Sequence, residues 1–342
     1  MNTIKQSSCN TRMIRTHALL HMAKSIHSIR GAKSQGIEYS EPTIDLAAIK
    51  QQLDTLESQY YSANQHYAAS LIGTAKLGNS NRGFETNANT ANIAVHKHVW
   101  HYNEAIALPF IPEKLAIVGA GIDAIEIATI YQALGANVEI LITGDDIFPE
   151  LDKDINKTFL RYVKRLFKIK PQAVITAFNF TENQVQLCAT SKTKALPSSN
   201  YDAVFIADVQ ATDDDLLTQP FMATSVPTVT WLGWTEKQLT HNSLNYKVVN
   251  IPWRSLGRAN TDINTNGLTK LIFNTDDHTL IGGGCMGNNA DEIFGEICLA
   301  IRNKFTADNI THTVHAHPTL HESILLASEV YKGTATDVMN QE

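Results

Sequence analysis

A chain of 342 residues, 43% of them hydrophobic, is long enough for two or three domains, each with a core of its own. A formal net charge of −6 without any Lys/Arg cluster argues against nucleic acid as a partner, and no apolar run approaches the roughly 18 residues of a membrane span. The N-terminus, MNTIKQSSCNTR, lacks the apolar core of a signal peptide, so a cytoplasmic protein is expected; Cys9, Cys188, Cys285 and Cys298 stand far apart, as reduced and mostly buried thiols would.

The first elements are helical. Residues 17–29 (HALLHMAKSIHSI) bring Leu20, Ala23 and His27 to one face, with Leu19 and Ile26 near it. A second helix is expected after Pro42, where Leu46, Ile49, Leu53, Leu56 and Tyr60 recur at alternating steps of three and four. Residues 76–95 (KLGNSNRGFETNANTANIAV) are rich in Asn, Thr and Gly and read as a loop or linker. His96, His98 and His101 follow in HKHVWH. A strand would set two of them on one face, but no cysteine or carboxylate completes a metal set, and a solvated histidine-rich linker is the simpler reading.

Residues 115–118 (LAIV) form a buried-strand run. They lead into Gly119-Ala120-Gly121-Ile122-Asp123-Ala124, a helix to about Leu134, Gly135 and a second strand over 138–142. This is βαβ spacing with a GxGxxA turn: Gly119 permits the tight turn and Gly121 lets a pyrophosphate approach the helix N-terminus. For NAD the pattern is weaker. The acidic residue for a ribose hydroxyl belongs at the end of the second strand, where Ile142 stands. Losing one charged hydrogen bond costs about 1.5–3 kcal/mol, roughly ten- to 150-fold in affinity. No arginine nearby suggests a 2′-phosphate, and Asp123 would repel a pyrophosphate. The balance favours a Rossmann-shaped structural domain over one that binds NAD.

Beyond Phe221 the pattern changes to antiparallel strands. Residues 268–273 and 280–283 alternate as a hairpin around Asp276-Asp277, and residues 288–305 give a helix with Ile293, Ile297 and Ala300 on one face. The chain then reaches HAHPTLHE, residues 315–322. Pro318 suits the first position of a helix in which Leu320, Ile324, Ala327 and Tyr331 share a face and Gly333 is the stop. That helix would carry Glu322 about one and a half turns inside and His317 at its mouth, and a carboxylate there can orient an imidazole for acid/base work. His312, His315, His317 and His321 crowd ten residues and could instead bind a metal, but the acid/base pattern is the closer match.

HAHPTLHE with the following SILLASEVYKGTATD resembles the C-terminal signature of the dihydrolipoamide dehydrogenases, within the flavin-dependent pyridine nucleotide–disulfide oxidoreductases. Residues 226–236 (VPTVTWLGWTE) resemble the same family. The resemblance implies an α/β fold: a mainly helical remnant of a flavin domain (residues 1–97), a Rossmann-like nucleotide domain (98–222) and an α/β dimerisation domain (223–342). It also implies that His317 and Glu322 are an acid/base pair serving the redox disulfide of the other subunit, and that Gly119, Gly121 and Glu126 face NAD, with FAD as the family's second cofactor. In the family, ALLH follows a CxxxxC disulfide and a lysine. Here Ser8 and Met13 fall at the cysteine positions and His17 at the lysine that would pair with Glu126. A dithiol cannot be made from those residues. There is no room upstream for the strand–GxGxxG–helix unit of a flavin site, the ATG-like turn and the GD motif are missing, and the family's GRxPN-like segment reads DVQAT at 208–212. The expectation is a pseudoenzyme that dimerises with itself or with a full-length relative. The alternative is an FAD- and NAD-dependent oxidoreductase with atypical cofactor binding.

Overall fold

The structure is a computed structural model and describes residues 2–38, 40–64, 96–191, 194–207, 215–262 and 266–336. The sequence segments 76–95 and 208–212 discussed above lie outside the described residues. The chain divides into two compact units, residues 1–145 with 166–209 and residues 146–165 with 210–342.

The first unit begins with helix α1 (Asn2–Gly31), longer than the periodicity predicts, and helix α2 (Leu46–Asn64). Leu19, Leu20, Ala23 and Ile26 of α1 are buried, and α2 contributes Leu53. Strand β1 (Val99–Trp100), helix α3 (Tyr102–Ile106), strand β2 (Lys114–Val118), helix α4 (Ile122–Ala133) and strand β3 (Asn137–Leu141) follow. The β2–α4–β3 unit falls where the apolar run and the GxG turn predict it. Ala23 and Ile26 of α1 pack with Ala133 of α4 and with Ile44.

Helix α5 (Lys153–Val163) belongs to the second unit. The chain returns to the first unit with β4 (Lys168–Lys170), an antiparallel group of β5 (Ala173–Phe180), β6 (Val185–Ser191), β7 (Lys194–Ala195) and β8 (Ser199–Tyr201), and then β9 (Ala203–Ile206). The parallel sheet has the order β1-β9-β2-β3-β4. From β2 the chain turns outward to β3 on one side while β9 lies on the other, which makes the carboxyl end of β2 a topological switch point, the place where open α/β sheets bind ligands.

The second unit is built on an antiparallel sheet, order β10-β11-β14-β13-β12. After helix α6 (Asp215–Thr218) come β10 (Phe221–Ala223), β11 (Thr228–Gly233), helix α7 (Glu236–His241), β12 (Tyr246–Pro252), helix α8 (Gly257–Thr261), β13 (Leu268–Asn274) and β14 (Leu280–Gly287). Helices α9 (Ala290–Arg302), α10 (Ala307–Thr311) and α11 (Glu322–Lys332) complete it. Ile293, Ile297 and Ala300 of α9 and Ile324 and Ala327 of α11 enter one core with Leu271, Phe273 and Trp253, as the helical spacing predicts. Gly333 ends α11 in the left-handed region at φ +74.

Candidate functional site

Helix α11 starts at Glu322, four residues later than the proline signal predicts. Pro318 is outside the helix because the 317–321 segment closes on side chains instead of on helical backbone bonds. The Thr319 N–H donates to Glu322 Oε2 at 2.8 Å, and the Thr319 hydroxyl donates to the Ala316 carbonyl at 2.8 Å. Glu322 therefore sits in the first turn of α11, where the helix dipole favours a carboxylate, and not one and a half turns inside.

A buried chain of hydroxyls fixes that start. The Trp253 indole N–H donates to Thr269 Oγ1 at 2.9 Å, Thr269 and Ser323 share a 2.7 Å hydrogen bond, and the Ser323 hydroxyl donates to the Leu320 carbonyl at 2.8 Å. Ser323 directly follows Glu322, so the sheet of the second unit holds the acid in place through its neighbour.

The structure brings the two expected residues together. His317 Nδ1 lies 2.8 Å from Glu322 Oε1, while Glu322 Oε2 is taken by the Thr319 N–H. The His317 side chain is 77% exposed and that of Glu322 20%. Burial pushes the Glu322 carboxyl up, but the hydrogen bonds from His317 and the Thr319 N–H outweigh it and hold the group below its ordinary value. An ionised carboxylate on Nδ1 leaves Nε2 as the basic atom of His317, which suits the ring for proton transfer at an exposed surface.

Sequence reasoning missed Glu296. This residue of α9 receives His315 Nε2 at 2.7 Å on Oε1 and His321 Nδ1 at 2.5 Å on Oε2. Burial raises Glu296, and the bonds from the two histidines more than reverse this. Its position 19 residues before His315, on an amphipathic helix, gives no local signal.

In the first unit, Gly119 and Gly121 take positive φ values of +121 and +91 at the end of β2. A Cβ on Gly119 would lie 2.9 Å from Ala207 Cβ, so the turn requires glycine. This geometry fits the approach of a pyrophosphate. Asp123, the charge expected to oppose one, is paired with Arg12 of α1 at 2.6 Å. The Arg12 guanidinium also stacks 3.5 Å from the centre of the Tyr102 ring. The Tyr102 hydroxyl donates to Glu126 Oε2 at 2.8 Å and lies 3.0 Å from Thr16 Oγ1. Burial, then Glu126, pushes the Tyr102 phenol up, so it stays a donor. Glu126 is thus buried against Tyr102 while His17 is exposed, and Ile142 at the end of β3 is fully buried.

The histidine-rich linker is not solvated throughout. His98 is buried, with Nδ1 2.7 Å from the Asp202 carbonyl oxygen and Nε2 3.4 Å from that of Glu182, because its backbone runs into β1 of the parallel sheet. Among the described residues, the ligand atoms of Asp152, Asp154 and Glu236 lie within 4.8 Å of one another, as a metal site would need. The ammonium of Lys270 bonds all three, at 2.5 Å to Asp152 and 2.7 Å to Asp154, and supplies the positive charge itself. Cys285 is buried and Cys188 and Cys298 are half-buried, all as free thiols; burial pushes Cys285 up to about 12. No helix among the described residues is long and apolar enough to cross a membrane.

Dihydrolipoyl dehydrogenase of Vibrio parahaemolyticus is 28% identical over 424 aligned positions, covering 97% of this chain and 89% of that protein. The enzyme of the same name from Bacillus subtilis is 26% identical over 314 positions, 72% of this chain and 67% of that protein. The first alignment is longer than the 342 residues of the chain and is therefore interrupted by gaps on this chain's side. Among solved structures, LpdA of Mycobacterium tuberculosis superposes with a TM-score of 0.76 at 15% identity, over 92% of this chain and 89% of that one. The HOCl-induced flavoprotein disulfide reductase RclA of Escherichia coli gives 0.71 at 16% identity, with the same coverage of 92% and 89%. At these identities the likeness is one of fold. The dimerisation domain of the pyridine nucleotide-disulphide oxidoreductases matches residues 220–328, which contain His317 and Glu322. The pyridine nucleotide-disulphide oxidoreductase family itself matches residues 4–225, more than half of the chain, and the chain belongs to that family.

Proposed function

We propose that this chain is a non-autonomous, dihydrolipoamide dehydrogenase-like dimerisation partner that offers His317 and Glu322 as an acid/base pair to the redox disulfide of a second subunit. The observation that carries the reading is the His317–Glu322 couple itself, joined at 2.8 Å and open to solvent at the imidazole. Ser8 and Met13 stand where the resemblance calls for the two cysteines of the disulfide, so a thiol–disulfide exchange has to find its disulfide elsewhere. The gapped alignment with dihydrolipoyl dehydrogenase supports the loss of flavin-binding segments. On this reading residues 1–97 are the flavin-domain remnant, 98–222 the nucleotide-binding-like domain and 223–342 the dimerisation domain, in a cytoplasm where the free thiols stay reduced.

Gly119 and Gly121 would hold the pyrophosphate of NAD if it binds. The residues at the cysteine positions do not fit a flavin's disulfide partner, and no electron transfer through a flavin is derived for this chain. The test is co-expression of a tagged chain with a full-length dihydrolipoyl dehydrogenase whose own C-terminal catalytic histidine is substituted. Co-purification with restored dihydrolipoamide oxidation is expected. A chain that never co-purifies with the relative would sink the mixed dimer.

A second reading, an FAD- and NAD-dependent oxidoreductase of the dihydrolipoyl dehydrogenase type, is favoured by relatives of that name that span 97% of the chain. Its signature is the visible spectrum of the purified chain from flavin-replete cells. Flavin bands near one per chain would establish it over the partner reading, and a colourless protein would remove it.

A further inference from the structure

His315, His321 and Glu296 lie beside the His317–Glu322 couple and have no part in the role given to it. His315 Nδ1 is 2.9 Å from the Thr313 carbonyl oxygen and Nε2 is 2.7 Å from Glu296 Oε1. Both partners only accept, so the doubly protonated ring is the form that satisfies both contacts. The His315 side chain is 5% exposed, which keeps that charge on Glu296 and out of solvent. The other oxygen of Glu296 receives His321 Nδ1 at 2.5 Å. His321 therefore repeats the arrangement of His317: a carboxylate fixes Nδ1 and leaves Nε2 as the basic atom, on a side chain 41% exposed. The charged and titratable groups around Glu296 are His315 and His321 from the segment before α11, and the thiol of Cys285 on β14. The charge of Glu322 on α11 also acts on His315.

We propose that His321 with Glu296 is a second acid/base couple beside His317–Glu322, with His315 as its fixed cation, and that the two couples together serve a dithiol, which must shed two protons. The role rests on the dimer-partner reading of the chain.

A dithiol and the partner subunit's disulfide exchange in two steps. One imidazole Nε2 takes the proton of the first thiol. The thiolate attacks the disulfide, forms a mixed disulfide and releases one partner thiolate. The other imidazole takes the second thiol's proton, and that thiolate attacks the mixed disulfide, closing the substrate disulfide and releasing the second partner thiolate. Two electrons pass from dithiol to disulfide, and the two stored protons return to the partner's thiolates. Each step needs a base within reach at its own moment, and two couples supply one for each.

The deciding experiment is long-range ¹⁵N–¹H NMR of the histidine rings in the full chain. The deprotonated rings of His317 and His321 are expected as the Nδ1–H tautomer, and His315 as the doubly protonated ring. In Glu296→Met the His321 tautomer should be lost and that of His317 kept, in Glu322→Met the reverse, and Glu296→Gln, which keeps an acceptor oxygen, should preserve the His321 tautomer. A His321 ring in the ordinary Nε2–H form, or one unmoved by Glu296→Met, overturns the second couple. In the mixed dimer described above, His321→Asn should slow dithiol oxidation at least ten-fold, part of the roughly 10²–10⁴-fold worth of a positioned base, because His317 remains. An active mixed dimer indifferent to His321→Asn overturns this inference alone. A mixed dimer that is inactive with its tail intact overturns the partner reading together with it.

Discussion

Replacing Lys270 with methionine should destabilise the second unit. The side chain of Lys270 is 0% exposed and its ammonium is bonded to Asp152, Asp154 and Glu236. Burial depresses the ammonium, and the carboxylates, Asp152 first, more than restore it. Removing one member of a buried ion pair typically costs about 3–5 kcal/mol, mainly through the charge left behind. Here the stranded charges differ: Asp154 and Glu236 keep 44% and 38% of their side-chain surface, whereas Asp152 keeps 1%. Only Asp152 becomes a fully buried carboxylate without a cationic partner, and it keeps its bonds from the Asp154 and Glu236 N–H groups, so the lower end, about 3 kcal/mol, is expected. For a unit of this size that is a fall of roughly 6–12 °C in Tm. Urea unfolding followed by tryptophan fluorescence measures it, since Trp231 and Trp253 are buried in this unit. Asp152 also accepts from the Glu236 N–H at 3.1 Å, and Asp152→Asn can keep that bond. The double variant Lys270→Met/Asp152→Asn should therefore recover most of the loss. A single variant within 1 kcal/mol of the parent, or a double variant no more stable than the single one, would refute the account of a stranded charge.

The remaining predictions concern the helix start, the histidine cluster and the glycine turn. Ser323→Ala breaks the buried hydroxyl chain from Trp253 to Leu320 and should cost about 1–3 kcal/mol in chemical denaturation. Glu296→Gln should cost most stability between about pH 4.5 and 6.5. The carboxylate, held below its ordinary 4.5, contributes above that pH and loses its contribution as pH falls, whereas His315, held above its ordinary 6.5 first by its bond to Glu296, contributes below that pH and loses its contribution as pH rises through the raised value. A difference between parent and variant that grows steadily above pH 7 would contradict this sign. Gly119→Ala places a Cβ 2.9 Å from Ala207 Cβ at φ +121 and should destabilise the first unit by about 1–3 kcal/mol, read from the fluorescence of Trp100, with the second unit's transition unmoved.

Much of this was legible in the sequence where local chemistry dictates it. LAIV before a GxG turn could only be a buried strand feeding a helix, and β2, α4 and β3 lie there. His317 and Glu322 were paired by a short motif and they do touch. The start of α11 was misread because Pro318 is a start signal only when backbone bonds close the turn, and here the Glu322 side chain closes it. His98 read as solvated because nothing in HKHVWH announces that the carbonyls of Asp202 and Glu182 will meet its ring. Lys270 gave no warning either. A lysine in a strand normally marks the solvent face, whereas β13 is buried on both faces through Phe273 and the lysine meets carboxylates more than a hundred residues away in sequence. Long-range polar pairs are the part of a fold that periodicity cannot report.

The carboxylates of the two units are used in opposite ways, and that contrast supports placing the chemistry at the C-terminal end. Asp123 and Glu126 lie at the turn and first helix of the nucleotide-type fold, where family members would meet a cofactor, yet this chain commits them to its own Arg12 and Tyr102 under cover of α1. Arg12, next to Met13 in the sequence, thereby neutralises a carboxylate in the first turn of α4. Such a cluster stabilises by being closed: every new contact must displace a charge-assisted bond. Glu322 and Glu296 each hold a ring by one nitrogen, and His317 and His321 keep the other side toward solvent. A proton-transfer group needs that open position, and a structural group gains nothing from it. The 77% exposure of the His317 side chain meets that need, whereas the buried Glu126 offers no such position.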